Sequence, residues 1–158
     1  MQQFRDDRDA ALASYNDALK LFRAVGDRLG EANVLKAISD VQQFRKENDA
    51  ALKSYEQAQT LYRAVGAKLG EANVLASQGR LYLLDEPQHA EEMLDRAIAL
   101  YRAIGSRYSE PAQIGNFGWT LLRLGQPERA RPYLVRAAEL FEQMGLMDYA
   151  ERHRRAAK

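Results

Sequence analysis

Apolar side chains recur along this chain with the spacing typical of helices. In DAALKSYEQAQTLYRAV, residues 49–65, small and large apolar residues return every three or four positions, which places them on one face of a helix. Three further segments show the same pattern: residues 9–25, 89–104 and 129–144. No stretch shows the strict alternation of strands, so the sequence predicts an all-α protein.

These four segments share small residues at a fixed spacing, and each ends at a glycine. An alanine is followed seven residues later by another, with a bulky residue between them: Ala11, Tyr15 and Ala18; Ala51, Tyr55 and Ala58; Ala90, Leu94 and Ala97; Ala130, Leu134 and Ala137. The alanines predict close approach of neighbouring helices, with the bulky residue filling the gap. The glycines stand where a helix would end in a left-handed residue: Gly26, Gly66, Gly105 and Gly145.

A second set of helices alternates with the first, and the pattern repeats. The predicted helices are Leu29–Phe44, Leu69–Leu84 and Tyr108–Leu124. The stretch RAVGDRLGEANVL at residues 23–35 returns at residues 63–75 with two letters changed. This period of about forty residues predicts one array over residues 1–158, with units at about 5–44, 45–84, 85–124 and 125–158.

Composition removes several classes of partner. The 23 Lys and Arg residues nearly balance the 22 Asp and Glu residues, so no strong field of one sign is available to hold a nucleic acid or an anionic membrane. The absence of cysteine excludes disulfides and suits a reducing compartment. No apolar run approaches the length of a membrane span. We expect a cytoplasmic protein with no nucleic-acid and no membrane partner.

The chain offers little for catalysis. His89, in a predicted linker, and His153, in a basic final segment, have no nucleophile or triad partner in the pattern. Gly115, Gly118 and Gly125 lack the strand and turn that a phosphate-binding loop requires. We therefore predict no enzyme activity, no metal site and no cofactor.

The repeat resembles the tetratricopeptide repeat, and the resemblance covers almost the whole chain. Residues 75, 78, 79, 82, 90, 94 and 97 answer the family pattern as Leu, Gln, Gly, Tyr, Ala, Leu and Ala. Residues 114, 117, 118, 121, 130, 134 and 137 answer as Ile, Phe, Gly, Leu, Ala, Leu and Ala. The resemblance implies a right-handed α-solenoid, here of seven helices and an eighth segment too short to complete a pair.

Two features depart from the family pattern. The period is about forty residues instead of 34, and the proline that usually closes the second helix of a repeat is absent. This longer repeat is similar to those of kinesin light chains, of spindle-orientation adaptors and of the sensor regions of bacterial signalling ATPases. The membership of one of these subfamilies is a hypothesis.

The resemblance also implies where a ligand would bind. The first helix of each family repeat lines the concave side of the solenoid, so its residues outside the core are the expected groove for a peptide or helix. The candidates are Asn33, Lys36, Asp40, Asn73, Arg80, Leu83, Asn116, Trp119 and Arg123.

For three of these candidates, Asn33, Asn73 and Trp119, the sequence allows two interpretations. Asn33 and Asn73 hold equivalent positions, where an amide either bonds the backbone of an extended peptide or only keeps the helix surface polar. Trp119, the single tryptophan, either contacts a ligand or packs on the next helix. Gly115, four residues earlier on the same face, is expected to make room for the indole.

The sequence thus predicts a non-enzymatic module that binds a protein, as a peptide or helix. One alternative is a self-assembling scaffold, in which the exposed ends of the array pair head to tail, because the opening helix keeps a full apolar set. Another is a sensor fragment of a larger signalling ATPase or transcription regulator.

Overall fold

The structure, a computed structural model, describes the backbone of residues 2–158 and the side chains of residues 7–158. The described residues form eight helices and no strand, which confirms the predicted all-α helical-repeat fold. In chain order the helices are α1 Gln2–Val25, α2 Arg28–Phe44, α3 Asn48–Ala64, α4 Lys68–Tyr82, α5 Pro87–Ala103, α6 Ser109–Arg123, α7 Pro127–Gln143 and α8 Met147–Ala156.

The four predicted glycine caps are confirmed by their backbone angles. The φ values are 73° at Gly26, 69° at Gly66, 69° at Gly105 and 74° at Gly145. At Gly66 an added Cβ would meet nothing within 4 Å, so the glycine is required there by the left-handed backbone and not by space. The N–H of the next residue, Ala67, donates to the carbonyl of Tyr62 at 2.8 Å and so closes the end of α3.

The chain divides into two compact units, a first that ends at Leu81 and a second from Tyr82 to Lys158. In the first unit α2 packs against α1 and α3. In the second unit α6 packs against α5 and α7, and α7 packs against α8. The single array expected over residues 1–158 stays a prediction.

The core of the first unit follows the predicted alanine spacing. Ala51, Tyr55 and Ala58 of α3 are fully buried, so two small residues allow close approach while the ring between them fills the gap. Leu35 and Ile38 of α2 meet the same cluster. Gly70 brings the start of α4 against α3, since a Cβ there would lie 2.3 Å from Cε1 of Tyr62.

The second unit repeats this arrangement with leucine in place of tyrosine. Leu94 and Leu134 are buried between fully buried alanines: Ala90, Ala97, Ala130 and Ala137. Gly118 of α6 lies against Leu134 of α7, because an added Cβ would come 2.6 Å from Cγ of the leucine. Gly118 therefore allows α6 to approach Leu134 of α7 closely, where a side chain would collide with the leucine.

The final segment is a full helix, contrary to the expectation of a fragment too short to complete a pair. The ten residues of α8 pack against α7, with Ala150 fully buried. Among the described residues, no helix combines the length and the apolar character needed to cross a membrane.

Candidate functional site

The first unit carries five of the nine predicted binding residues, and three of them lie along α2. Lys36 Nζ lies 2.6 Å from Oδ2 of Asp40, an ion pair within one turn of helix. Oδ1 of Asp40 accepts a hydrogen bond of 2.5 Å from the hydroxyl of Tyr55, a fully buried residue of α3. Asp40 therefore connects its ion pair with Lys36 on α2 to the buried Tyr55 of α3.

This hydrogen bond changes the titration of the phenol. Burial, then the hydrogen bond to Asp40 and its negative charge, raises the pKa of Tyr55 well above the ordinary value of 10.0. The hydroxyl is thus a permanent donor over the physiological range. It fixes the Asp40 carboxylate on the α2 surface.

Asn33 is held in the same way by a tyrosine of α3. The hydroxyl of Tyr62 donates to Oδ1 of Asn33 at 2.7 Å, and burial raises the pKa of Tyr62. Within the described residues no hydrogen bond uses the amide nitrogen of Asn33, and the residue is exposed. Asn33 is thus an exposed residue whose side-chain oxygen is held by Tyr62.

The other two residues of the first unit lie on α4 and are half-buried: Asn73 and Arg80. Nη2 of Arg80 donates to the hydroxyl of Ser77, one turn earlier, at 2.9 Å. The positive charge of Arg80 also acts on the Tyr55 hydroxyl, whose pKa it lowers slightly against the larger effect of burial. Lys36, Asp40, Tyr55 and Arg80 thus belong to one polar group of the first unit.

In the second unit, one predicted groove residue cannot contact a ligand. Leu83 is fully buried in a cluster with Phe117 and Leu121, because its side chain meets α6. Asn116 and Arg123 are exposed and bond only within α6: Asn116 to Gln113 at 3.4 Å, Arg123 to Thr120 at 3.3 Å.

Trp119 lines a pocket of about 510 Å³ between α6 and α8. Its half-buried indole, with Leu122 and Ala156, forms the apolar part of the lining. The remaining lining residues are charged and come from α8: Asp148, Glu151, Arg152 and Arg155. Arg152 places its Cζ atom 5.4 Å from the centroid of the indole, within the range of a cation–π contact.

The space beside Gly115 is filled by His153, and the expectation that it accommodates the indole is wrong. A Cβ on Gly115 would lie 2.3 Å from Nε2 of His153. The imidazole is buried, packs on Phe141 with ring centroids 5.2 Å apart, and meets the edge of Trp119 at 5.9 Å. His153 is therefore a buried residue of α8 that packs against Trp119, and it is not part of an exposed basic tail.

The charged residues of α8 were missed by the sequence analysis, although the repeat contains the signal. Ala112 is the counterpart of Asn33 and Asn73 in the third repeat, and Gly115 lies one turn after it on the same face. Arg152 and Arg155 stand forty residues after these two positions. The expected groove stripe thus continues onto α8, where it becomes charged. The final segment was expected to be too short to complete a helix pair, so none of its residues is among the predicted binding residues.

The described residues include no cluster of potential metal ligands. No group of three or more His, Cys, Asp or Glu residues in the part of the chain that the structure describes could hold a metal ion. His89 lies in the first turn of α5, edge-on to Tyr82 with ring centroids 5.0 Å apart. Its Nδ1 atom is 3.8 Å from Oε2 of Glu92, an exposed neighbour one turn along α5.

Two family models match the sequence, and 39 chains of solved structures are similar to the protein. Family models described as Tetratricopeptide repeat match residues 2–64 and residues 114–144, together more than half of the chain. No curated protein matches the sequence. The crystal structure of BtubC (BKLC) from P. vanneervenii is similar at a TM-score of 0.67 and 17% identity, covering 98% of this chain and 75% of that chain.

The chain belongs to the tetratricopeptide repeat proteins. The likeness to BtubC, at this low identity, supports the shared fold. Tetratricopeptide repeats generally mediate protein–protein interaction and form a non-catalytic fold. The relation to one of the long-repeat subfamilies stays a prediction.

Proposed function

We propose that this protein is a non-enzymatic cytoplasmic module that binds a peptide or helix of a partner protein in the pocket of Trp119. The observation that carries the proposal is the composition of that pocket, in which an indole and two apolar side chains are surrounded by four charged residues of α8. A half-buried tryptophan with a charged rim is the usual composition of a binding hot spot.

The rim charges define the segment that fits. Asp148 and Glu151 are acidic, while Arg152 and Arg155 are basic, so a ligand with one apolar anchor and both signs of charge beside it is favoured. Arg155 already pairs with Glu151 and Arg152 lies over the indole, which leaves Asp148 as the acid without an ion pair among the described residues. We expect a basic residue of the ligand at Asp148.

The first unit supports the same role through a polar surface. Asn33 is exposed with its side-chain oxygen held by Tyr62, and the pair of Lys36 and Asp40 lies one turn further along α2. Such groups suit the backbone and charged side chains of an extended peptide. This surface is proposed as a second contact region of the same interaction function.

The test uses peptides selected by the protein itself from a random library displayed on phage. Trp119→Ala should weaken the affinity for the selected peptides by at least about 30-fold, the effect of losing ~2 kcal/mol at a hot spot. Arg152→Ala should also weaken binding, whereas Arg96→Ala, at an exposed site on α5, should not. Circular dichroism would confirm that all three variants keep their helicity.

Normal binding by the folded Trp119→Ala variant would rule the pocket out. Selection of no peptide at all by the wild-type protein would contradict the wider proposal.

A second candidate function is self-association, which the exposure of apolar residues on α1 favours. Leu21 is 67% exposed and Val25 is 76% exposed, one turn apart on the same face. On α8, Met147 and Tyr149 are also exposed. A head-to-tail contact between copies would cover these side chains.

A further inference from the structure

A second depression lies between α5 and α7, and it shares no lining residue with the Trp119 pocket. Two adjoining pockets of about 490 and 390 Å³ share Leu94, Asp95, Pro132 and Tyr133, so they form one continuous depression. We call it the α5–α7 groove. Its other lining residues are Glu91, Ile98, Ala99, Arg102, Glu110, Ile114, Arg129 and Arg136, none of which lines the Trp119 pocket.

Small side chains leave this depression open. The exposed Ala99 and Pro132 add little bulk at the edges of the groove.

The floor of the groove is apolar. It is formed by Leu94 and Ile98 of α5, Ile114 of α6 and the ring of Tyr133 of α7. The hydroxyl of Tyr133 on α7 donates to Oε1 of Glu91 on α5 at 2.7 Å, so this hydrogen bond crosses the groove at its Glu91 end. An occupant would therefore meet apolar atoms along the centre of the groove.

Most charged residues of the lining are already engaged: Arg102 pairs with Glu110, Glu91 accepts from Tyr133, and Arg129 donates to the carbonyl of Leu83 at 3.3 Å. The remaining charges are opposite in sign, with Asp95 on the α5 side and Arg136 on the α7 side. Asp95 forms no ion pair among the described residues, and Arg136 has only an exposed neighbour on its own helix, Glu139, at 3.5 Å. Both charges are available to a partner.

The shape selects the kind of segment that fits. From Glu91 to Arg102 the groove follows α5 for about three turns, or roughly 16 Å at the rise of an α-helix. No Asn or Gln lines it to bond the backbone of an extended strand. A helix satisfies its own backbone and packs naturally between two others, as ridges in grooves.

We propose that the α5–α7 groove binds an amphipathic helix of a partner protein. The helix has an apolar stripe at positions i, i+3 or i+4, and i+7, with basic residues on one flank and acidic residues on the other. The basic flank lies against Asp95, and the acidic flank lies against Arg136. Because the walls differ in sign, they also fix the direction in which the helix lies.

The experiment uses three fluorescein-labelled helical peptides of the same leucine stripe: one with Lys on one flank and Glu on the other, one with Lys on both flanks, and one with Glu on both. Fluorescence anisotropy with the full chain should show the mixed peptide binding at least about tenfold more tightly than either uniform peptide. A peptide with the same charge on both flanks presents the same charges to the groove in either direction. Its weaker binding therefore cannot result from its orientation.

Two matched pairs of variants locate the binding. Ala99→Trp, which fills the groove, should weaken the mixed peptide at least about tenfold, while Ala103→Trp, exposed on α5 outside the lining, should not. Arg136→Glu makes the second wall acidic and should move the preference to the peptide with Lys on both flanks. Arg96→Glu, the same change outside the groove, should leave the order of the three peptides unchanged.

Several results would overturn the proposal. They are equal binding of the three peptides, no binding up to millimolar concentration, and an unchanged order of affinities in the folded Arg136→Glu variant. Loss of binding in Trp119→Ala but not in Ala99→Trp would assign the peptides to the Trp119 pocket. A mass increase in light scattering that Ala99→Trp abolishes would show that a second copy of the chain occupies the groove instead.

Discussion

Tyr55 shows how a single residue connects the core of the first unit to its surface. Its ring is fully buried, and its hydroxyl reaches Asp40, which also pairs with Lys36. Burial and the carboxylate both favour the neutral phenol. The folded protein therefore holds the Tyr55 proton more tightly than the unfolded chain does.

This difference gives a prediction for alkaline pH. Tyr55→Phe should cost about 1 kcal/mol of unfolding free energy near neutral pH, the value of one hydrogen bond. Above pH 10.0 the unfolded tyrosine ionises while the folded one does not. The wild type should thus lose stability relative to the variant by up to about 1.4 kcal/mol per pH unit.

Urea unfolding of both proteins at about pH 8 and about pH 11 measures the effect. Tyr15→Phe, which removes a different phenol of the first unit, is the matched control. Parallel stability curves for the wild type and Tyr55→Phe would contradict the assignment.

Gly115 gives a second prediction at this scale. Gly115→Ala places a methyl group against the His153 imidazole and should destabilise the protein by about 1–3 kcal/mol, less a gain of about 1 kcal/mol from helix propensity. In a His153→Ala background the same change should become neutral or stabilising. Urea unfolding of the four proteins gives the coupling between the two sites, and additive effects would show that His153 is not the obstacle.

Among the helices, the fully buried alanines set how closely neighbours pack. Ala58 of α3 and Ala97 of α5 have no exposed surface. Replacement of either by leucine should overpack the contact and lower the unfolding free energy by about 1–3 kcal/mol. Ala64→Leu and Ala103→Leu are matched controls, because these alanines are exposed on the same two helices. A thermal melt in which Ala97→Leu and Ala103→Leu coincide would contradict the packing.

At the scale of the whole molecule, self-association is measured by light scattering coupled to size exclusion. If the exposed apolar residues of α1 join copies, the mass should grow from micromolar to millimolar protein, and Leu21→Glu should abolish the growth. Leu21 is the better site for this change than Tyr15, which is half-buried against the core cluster. Asn16→Glu, at an exposed polar site, is the control, and a constant monomer mass of the wild type would exclude the contact.

The sequence by itself determined the fold class, the positions of the first seven helices and the glycine caps that end four of them. Apolar spacing, cap glycines and alanine pairs act over a few residues, so they can be recognised within a single segment. The repeat shows each of them several times. The burial of Ala51, Tyr55 and Ala58 and the angle at Gly66 follow directly from these local signals.

Only the tertiary structure decided which stripe residues reach a ligand. Leu83 is buried because α6 covers it, and the gap at Gly115 holds His153 from a helix more than thirty residues away in the chain. The charged rim of the Trp119 pocket and the walls of the α5–α7 groove likewise combine separate helices. Exposure and charge pairing depend on neighbours in space, and one helical period does not identify those neighbours.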